Sequence, residues 1–267
     1  MVLRNVFLKT LRDQRRSLLW WGIGLTVVAA FTVAFYPSIA NAPGFDSILE
    51  EMPEALARAF MGEVTDLTSP TGYLNSQLFV VFLPLLFVVF AVACGSSAIA
   101  GEEESGTLDL LLSYPVARWR VLLDKFAAMI VATLVLAFIF WLALAMSAIA
   151  IGMEISLLRM AEATLSAALL GLTFGALALA LGCATGKRGI SRGVSSAVGV
   201  AAYFLNALVP LVDVLEPSRK LSPFYYYIGA DPLSNGLNLL HVAVLIGLTL
   251  VFVAVALVLF NRRDLAV

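Results

Sequence analysis

Six long apolar runs place the strongest constraint on how this chain can fold. They cover roughly residues 18–36, 78–100, 126–151, 165–183, 194–215 and 239–260. A helix needs about 20 apolar residues to cross the hydrocarbon core of a bilayer, and each run is close to that length. The ten-residue alternating segments of a membrane barrel do not occur in the sequence. We therefore predict an all-α polytopic membrane protein with six transmembrane helices, forming one domain over residues 1–267.

The composition supports this class of protein. Of the 267 residues, 61% are apolar and 13% charged, and the mean hydropathy is +0.96. A soluble domain has about 45–50% apolar and about 25% charged residues. A net charge of -1 argues against a nucleic-acid partner. The cysteines Cys94 and Cys183 lack CxxC spacing and the one histidine is His241, so we predict no metal site and no His-based catalytic group.

Lysine and arginine alternate between the two sides of the predicted spans. The N-terminal segment, the second-to-third connection, the fourth-to-fifth connection and the C-terminus carry five, three, three and two of them. The other side carries only four. Basic residues are enriched in cytoplasmic connections. We therefore predict that both termini are cytoplasmic and that the chain lies in the inner (cytoplasmic) membrane.

Residues 1–17 have the pattern of an amphipathic helix. Apolar residues share one arc of a helical wheel, and the basic residues Arg4, Lys9, Arg12, Arg15 and Arg16 share the other. Such a helix suits the inner membrane surface, where its basic face meets anionic lipid headgroups. We predict an elbow helix here. The alternative is that these residues are only a positively charged segment next to the first span.

Two connections are predicted on the outer side. Residues 37–77 form an acidic connection, and residues 216–238 form a hairpin with an aromatic cluster. Polar residues near the outer ends of the spans are candidates for lining a substrate path, because polar groups at membrane depth are often functional. These candidates are Asn75, Gln77, Asn206 and Asp213. Capping of helix ends is the alternative explanation.

Two further features concern the shape and packing of the spans. Pro84 predicts a kink in the second span, because proline removes one helical hydrogen bond. Gly171 and Gly175 in the fourth span have the GxxxG spacing that lets helix backbones approach closely. We predict packing within the chain for these glycines, with a dimer contact as the alternative.

The segment 101–125 reads GEEESGTLDLLLSYPVARWRVLLDK and lies between the second and third spans. Leu108, Leu111 and Leu112 fall on one helical face, and Pro115 disfavours helix at the residue before it. This predicts a short cytosolic helix held between two long spans. We expect the three glutamates at 102–104 to be solvated, with some pairing to Arg118, Arg120 or Lys125.

The same segment resembles the signature region of ABC-2-type transporter permeases. The resemblance extends over residues 101–128 and is carried by Glu103, Glu104, Gly106, Thr107, Leu108, Leu111, Leu112, Pro115, Val116, Arg118 and Lys125. The C-terminal Arg262, Arg263 and Asp264 are similar to the R-R-D ending common in that family. The six-span layout with an N-terminal elbow helix also agrees with it.

The resemblance implies a permease subunit of an ATP-driven exporter, which forms half of a translocation pathway as a homodimer or heterodimer. A separate cytosolic ATP-binding subunit, in two copies, would dock on the short helix between spans two and three, the coupling helix of the family. ATP and Mg²⁺ would be bound by that partner, with no cofactor and no catalysis on this chain. The docking residues implied are Glu104, Gly106, Thr107, Leu108, Asp109, Leu111, Leu112, Pro115 and Arg118.

Two other functions are compatible with a polytopic membrane protein. A gradient-driven secondary transporter is expected to contain repeats, broken helices or charges at the membrane midplane, and the sequence has none that we recognise. A membrane scaffold that transports nothing is the other alternative. The GCATGKR stretch at 182–188 lacks the spacing of a phosphate-binding loop, so the sequence offers no ATP site that would make the chain its own motor.

Overall fold

The computed structural model describes residues 6–40, 68–108, 111, 116–209 and 218–263. Within these residues the chain is helical and contains no β-strand. This confirms the predicted all-α class. The helices, in chain order, are α1 (Val6–Ala40), α2 (Pro70–Leu74), a π-helical turn (Asn75–Phe79), α3 (Phe82–Ala98), α4 (Ala100–Glu104), α5 (Arg118–Ala150), α6 (Leu157–Thr185), α7 (Arg188–Leu208), α8 (Pro223–Ile228) and α9 (Leu239–Arg262).

Five helical stretches in the described residues are long and apolar enough to cross a membrane. They are α1, the stretch from α2 through α3, α5, α6 and α9. The predicted fifth span corresponds to α7, which is helical over 21 residues but contains Arg188, Arg192 and Asn206. These polar residues lower its hydropathy, and the six-span count is therefore not confirmed. The chain is a multi-pass membrane protein.

The first helix differs from the predicted elbow followed by a span. α1 runs without a break for 35 residues, so the basic turns at 6–17 and the first span form one rod. Residues 1–5 lie outside the described part of the chain. The elbow as a separate element is not confirmed. A helix of this length is about 50 Å long, which exceeds the about 30 Å hydrocarbon core and leaves its basic turns outside the apolar layer.

The centre of the bundle is α6, against which α3 and α9 pack most extensively. The close approach to α3 depends on glycines. A Cβ on Gly95 would overlap the carbonyl oxygen of Gly175, and a Cβ on Gly171 would lie 2.9 Å from the carbonyl oxygen of Phe87. These contacts confirm the prediction that Gly171 and Gly175 serve packing within the chain.

The second membrane stretch is interrupted before Pro84, where the sequence predicts a kink. The π-helical turn ends at Phe79, and α3 begins at Phe82 with Pro84 in its first turn. The proline ring would clash with the carbonyl group of Val80, four residues earlier, so a regular helix cannot continue through this point. The buried hydroxyl of Tyr227, on α8, donates a 2.5 Å hydrogen bond to the Phe79 carbonyl oxygen at the interruption. Burial raises the pKa of Tyr227 well above its ordinary value of 10.0, so the hydroxyl remains a donor.

Candidate functional site

One end of the bundle gathers charged residues from five parts of the chain. We call this region the charged end and define it by Lys9, Glu102, Lys125, Arg188 and Arg263. These residues come from α1, α4, α5, the start of α7 and the residue after α9. Hydrogen bonds and ion pairs connect them, and nearly all of these contacts involve one of three consecutive glutamates. The four segments in which the sequence concentrates lysine and arginine therefore meet at one end of the molecule.

A local motif at the end of α4 fixes the direction of the chain at these glutamates. The amide of Gly106 donates to the Glu103 carbonyl oxygen at 3.0 Å, and the amide of Thr107 donates to the Glu102 carbonyl oxygen at 2.9 Å. Gly106 has φ +66°, a left-handed conformation that glycine adopts without a steric penalty. This combination is a Schellman motif, which ends a helix and satisfies its last carbonyl groups. The E-S-G-T sequence at 104–107 favours this ending.

Glu102 pairs with a lysine that is almost completely buried. The Nζ atom of Lys125 lies 2.6 Å from Oε1 of Glu102, and the exposed fractions of the two side chains are 3% and 20%. Lys9 lies further away, 3.9 Å from the same oxygen. A buried ammonium group requires such a partner, because its desolvation is costly. The pair therefore fixes α4 against α5, with Lys9 of α1 beside it.

Glu103 holds the C-terminal end of α9 through a two-pronged contact. Its Oε1 and Oε2 accept from Nη2 and Nη1 of Arg263 at 2.5 and 3.0 Å. This fork-to-fork geometry is the strongest arrangement of an arginine and a carboxylate. Gly186, at the end of α6, lies under the pair with φ +63°, and a Cβ there would overlap the guanidinium group. Glycine at 186 is therefore required both by the turn and by the ion pair.

Glu104 and Arg118 complete the network through main-chain groups. Oε1 of Glu104 accepts from the backbone amide of Arg188 at 2.8 Å, at the first residue of α7. Nη1 of Arg118 donates to the carbonyl oxygen of Arg263 at 2.9 Å. The sequence predicted pairing of the glutamates with Arg118, Arg120 or Lys125. Lys125 is confirmed, but Arg118 bonds a carbonyl group, and Arg120 has no ion pair in the described residues.

The predicted docking residues fall into three groups. Glu104, Gly106 and Thr107 are exposed, and Arg118 is half-buried. Leu108 and Leu111 are buried, with exposed fractions of 1% and 4%, in an apolar cluster with residues of α5, α6 and α9. The other three, Asp109, Leu112 and Pro115, lie outside the described residues.

Burial of Leu108 and Leu111 gives these side chains a role within the chain. They hold the segment onto the bundle, and the exposed polar residues before them form its free surface. The amide of Leu111 donates to the Thr107 carbonyl oxygen at 3.2 Å, a bond typical of a helical turn. The described residues thus include one bond of the short helix predicted here.

Three of the predicted path residues, Asn75, Gln77 and Asn206, are described and lie at the opposite end of the bundle. The amide nitrogen of Asn75 donates to Asp231 at 3.2 Å, and the side-chain oxygen of Asn206 accepts from Arg219 at 3.0 Å. Both asparagine side chains therefore bond residues of the 218–238 segment, and their role in a substrate path stays a prediction. Gln77 is half-buried in the π-helical turn, and Asp213 lies outside the described residues.

Sequence reasoning missed the partners of Glu103 and Glu104. Residues 103 and 263 are 160 positions apart, and no local pattern connects them. One signal was available, because the charge alternation assigns the N-terminal, 101–125, 184–193 and C-terminal segments to one side of the membrane. Three adjacent acids on a side rich in basic residues indicate salt bridges, but the choice of partner depends on how the helices pack.

The fold is that of a multi-pass membrane protein whose charged residues meet at one end. The chain belongs to the family of ABC-2 family transporter proteins, whose sequence model matches residues 4–265. It is similar to the probable ABC transporter permease protein NosY of Stutzerimonas stutzeri, with 36% identity over 142 residues that cover 52% of this chain and 51% of that protein. It is also similar to the probable ABC transporter permease protein NosY of Pseudomonas aeruginosa, with 35% identity over 144 residues and 52% of each chain covered. The chain thus spans about half the length of the curated relatives it matches.

Proposed function

We propose that this chain is the permease subunit of an ATP-driven exporter, in which it forms half of the translocation pathway. Membership of the ABC-2 family supports this proposal. The observation that carries it is the charged end, where one short segment is bonded to the ends of α1, α5, α7 and α9. A segment connected in this way can transmit a movement to helices throughout the bundle.

The motor in this proposal is a separate cytosolic ATP-binding subunit, present in two copies, which binds ATP and Mg²⁺. It docks on the coupling helix after α4, and its first contacts are with the exposed Glu104, Ser105, Gly106 and Thr107. The buried Leu108 and Leu111 act as anchors that make the segment stiff. This chain hydrolyses no ATP itself.

We call residues 101–125 the coupling segment. Force on it would reach the membrane by two routes. The first runs along the backbone, because α3 and α4 are separated only by Ile99. The second runs through the glutamates to Lys125 of α5, Arg188 of α7 and Arg263 after α9. Charge-assisted contacts have short, defined geometries and transmit displacement better than a flexible loop. The three glutamates are therefore positioning residues for coupling.

The remaining parts of the proposal concern the membrane and a second copy. The charged end faces the cytoplasm, both termini are cytoplasmic in the inner membrane, and α7 completes six spans; the basic start of α1 lies at the cytoplasmic surface in place of a separate elbow helix. A second permease chain packs against α7. This helix exposes small residues at four-residue intervals, namely Gly189, Gly193, Ala197 and Ala201. Such a stripe suits close packing of helices better than contact with lipid.

The test places a bulky group on the exposed docking surface. Thr107→Trp should abolish co-purification with a co-expressed ATP-binding subunit and should abolish nucleotide-dependent transport. Ser234→Trp is the matched control, because Ser234 is also an exposed polar residue and lies at the opposite end. Leu111 is unsuitable for this test, since a charge at a buried position would unfold the segment itself.

Two results would contradict the proposal. The first is normal capture of the ATP-binding protein by Thr107→Trp in a chain that folds normally. The second is transport by the purified chain alone in proteoliposomes, driven by an ion gradient without nucleotide. That result would favour a secondary transporter.

A further inference from the structure

An apolar groove lies on the outside of the bundle between α1 and α5. Its volume is about 370 Å³, and it is lined by Leu18, Leu19, Gly22, Ile23, Thr26, Val27 and Ile139. Thr26 contributes the one polar side chain, and its hydroxyl group already donates to the Gly22 carbonyl oxygen. Because the threonine hydroxyl is already bonded, the groove presents an apolar surface.

One glycine lies among the larger lining residues. Gly22 has no side chain, so the surface is lower there, and an added Cβ would be in van der Waals contact with Cδ1 of Ile139 at 3.4 Å. The lining residues of α1 extend from 18 to 27, which is about 13.5 Å at a rise of about 1.5 Å per residue. One leaflet contributes half of the about 30 Å hydrocarbon core. The groove thus matches the depth of a single leaflet.

Three arginines continue the same face of α1 toward its N-terminus. Arg12, Arg15 and Arg16 precede Leu19 by seven, four and three residues, which places all of them on one side of the helix. Each is exposed, and none is within salt-bridge distance of a carboxylate in the described residues.

The other charges on α1 point elsewhere. Lys9 lies beside Glu102, and Asp13 acts electrostatically on Lys125 at the charged end. Asp13 is the only acidic residue in the described part of α1. The uncompensated positive charge of this helix is therefore concentrated directly below the apolar groove.

We propose that the groove and the three arginines form a binding site for one anionic phospholipid of the cytoplasmic leaflet. An acyl chain lies in the groove, and the phosphate group is held by Arg15 and Arg16, with Arg12 one turn further out. Arginine binds phosphate oxygens through two parallel hydrogen bonds, and basic residues next to the membrane surface attract anionic lipids. The bound lipid fixes the long α1 rod at the depth where its basic turns leave the apolar layer.

Charge and dimensions favour a lipid over a protein in this groove. A second copy would bring its own three arginines to the same interface, where like charges repel. A lipid supplies a phosphate at one end and an apolar chain of one leaflet's depth at the other. The occupant is therefore assigned as an anionic phospholipid.

Native mass spectrometry of the purified full chain tests the site, with phosphatidylglycerol and phosphatidylcholine as probes. The unsubstituted chain should retain one phosphatidylglycerol in preference to phosphatidylcholine. The double change Arg15→Gln and Arg16→Gln should weaken phosphatidylglycerol binding about fivefold for each arginine removed. Thr26→Phe fills the groove and should weaken binding of phosphatidylglycerol at the same site. Gly24→Leu is the control, because a Cβ at 24 points into open space with nothing within 4 Å, so the change should leave binding unchanged.

Four outcomes would overturn the assignment. The first is equal retention of the two lipids by the unsubstituted chain. The second is a preference that survives the double arginine change, and the third is full binding by Thr26→Phe. The fourth is a disulfide-linked dimer of Thr26→Cys that the unsubstituted chain does not form, since this would place a second copy in the groove. Melting temperatures of all variants show that each of them folds.

Discussion

Lys125 and Glu102 form an ion pair at 2.6 Å, and the lysine side chain is only 3% exposed. The pair lies where α4 meets α5, at the end of the bundle that we propose faces the cytoplasm. The second carboxylate oxygen, Oε2 of Glu102, is buried and has no hydrogen-bond partner within the described part of the chain. The geometry therefore makes Lys125 the dominant partner of this carboxylate.

Glu102→Gln should destabilise the folded chain by about 3 kcal/mol, because it leaves a buried ammonium group without its counter-charge. The double change Glu102→Gln with Lys125→Met should recover most of this loss, since both charges are then removed. Reversible unfolding of the purified chain in mixed micelles measures the two free energies. A double variant no more stable than Glu102→Gln alone would show that the pair contributes little.

Arg263→Gln should lower stability by about 1–2 kcal/mol, because it removes both bonds to Glu103. Arg262→Gln is the matched control, since Arg262 is exposed and has no ion pair in the described residues. The stability of Arg263→Lys should lie between those of Arg263→Gln and Arg262→Gln, because an ammonium group cannot reproduce the two-pronged contact. Equal melting temperatures for Arg262→Gln and Arg263→Gln would show that the contact between Arg263 and Glu103 does not stabilise the fold.

The charged end illustrates what the sequence could predict and what it could not. Charge alternation along the chain correctly brought the basic segments to one side, because that rule depends on the membrane and not on packing. The pairing of Glu103 with Arg263 depends on how α4 and α9 sit against α6, and no local pattern encodes it. Burial of Leu108 and Leu111 was missed for a related reason. An apolar face on a short helix can turn toward a partner or toward its own bundle.

The helix boundaries show a similar limit. The apolar run beginning at residue 18 predicted a separate span, but helix formation does not stop where hydropathy changes. Nothing in residues 6–17 breaks a helix, so α1 continues through them. Pro84, in contrast, acts through its own backbone chemistry, and the interruption that it causes could be predicted from the sequence.

Gly95→Ala should destabilise the chain by about 3 kcal/mol, because the added methyl group overlaps the backbone of Gly175 and forces α3 away from α6. Gly24→Ala is the control on α1, where a Cβ meets nothing within 4 Å. The control should be neutral or slightly stabilising, since alanine favours helix over glycine. Thermal unfolding of both variants measures the difference. Equal effects of Gly95→Ala and Gly24→Ala would mean that α3 and α6 have room to separate at Gly95.

Tyr227 should make stability depend on pH at the alkaline end. Burial raises its pKa in the folded chain well above the ordinary value of 10.0, so the unfolded chain loses this proton first as the pH rises. Stability contributed by the hydrogen bond to Phe79 is therefore complete below about pH 10 and declines above it. Tyr227→Phe should lose about 1 kcal/mol at neutral pH and show a shallower alkaline decline. Unfolding free energies measured from pH 8 to above pH 10 for both chains test this direction of the pH dependence. An identical alkaline decline of stability in the two chains would contradict it.

The last prediction concerns which end of the bundle faces the cytoplasm. Ser105 and Ser234 are both exposed serines, and they lie at the charged end and the opposite end. If basic segments remain on the cytoplasmic side, a membrane-impermeant maleimide should label Ser234→Cys in intact cells and Ser105→Cys only in inverted vesicles. The native cysteines give a low background, because Cys183 is buried and Cys94 half-buried. Labelling of Ser105→Cys in intact cells would put the coupling segment outside, where no ATP-binding subunit could reach it.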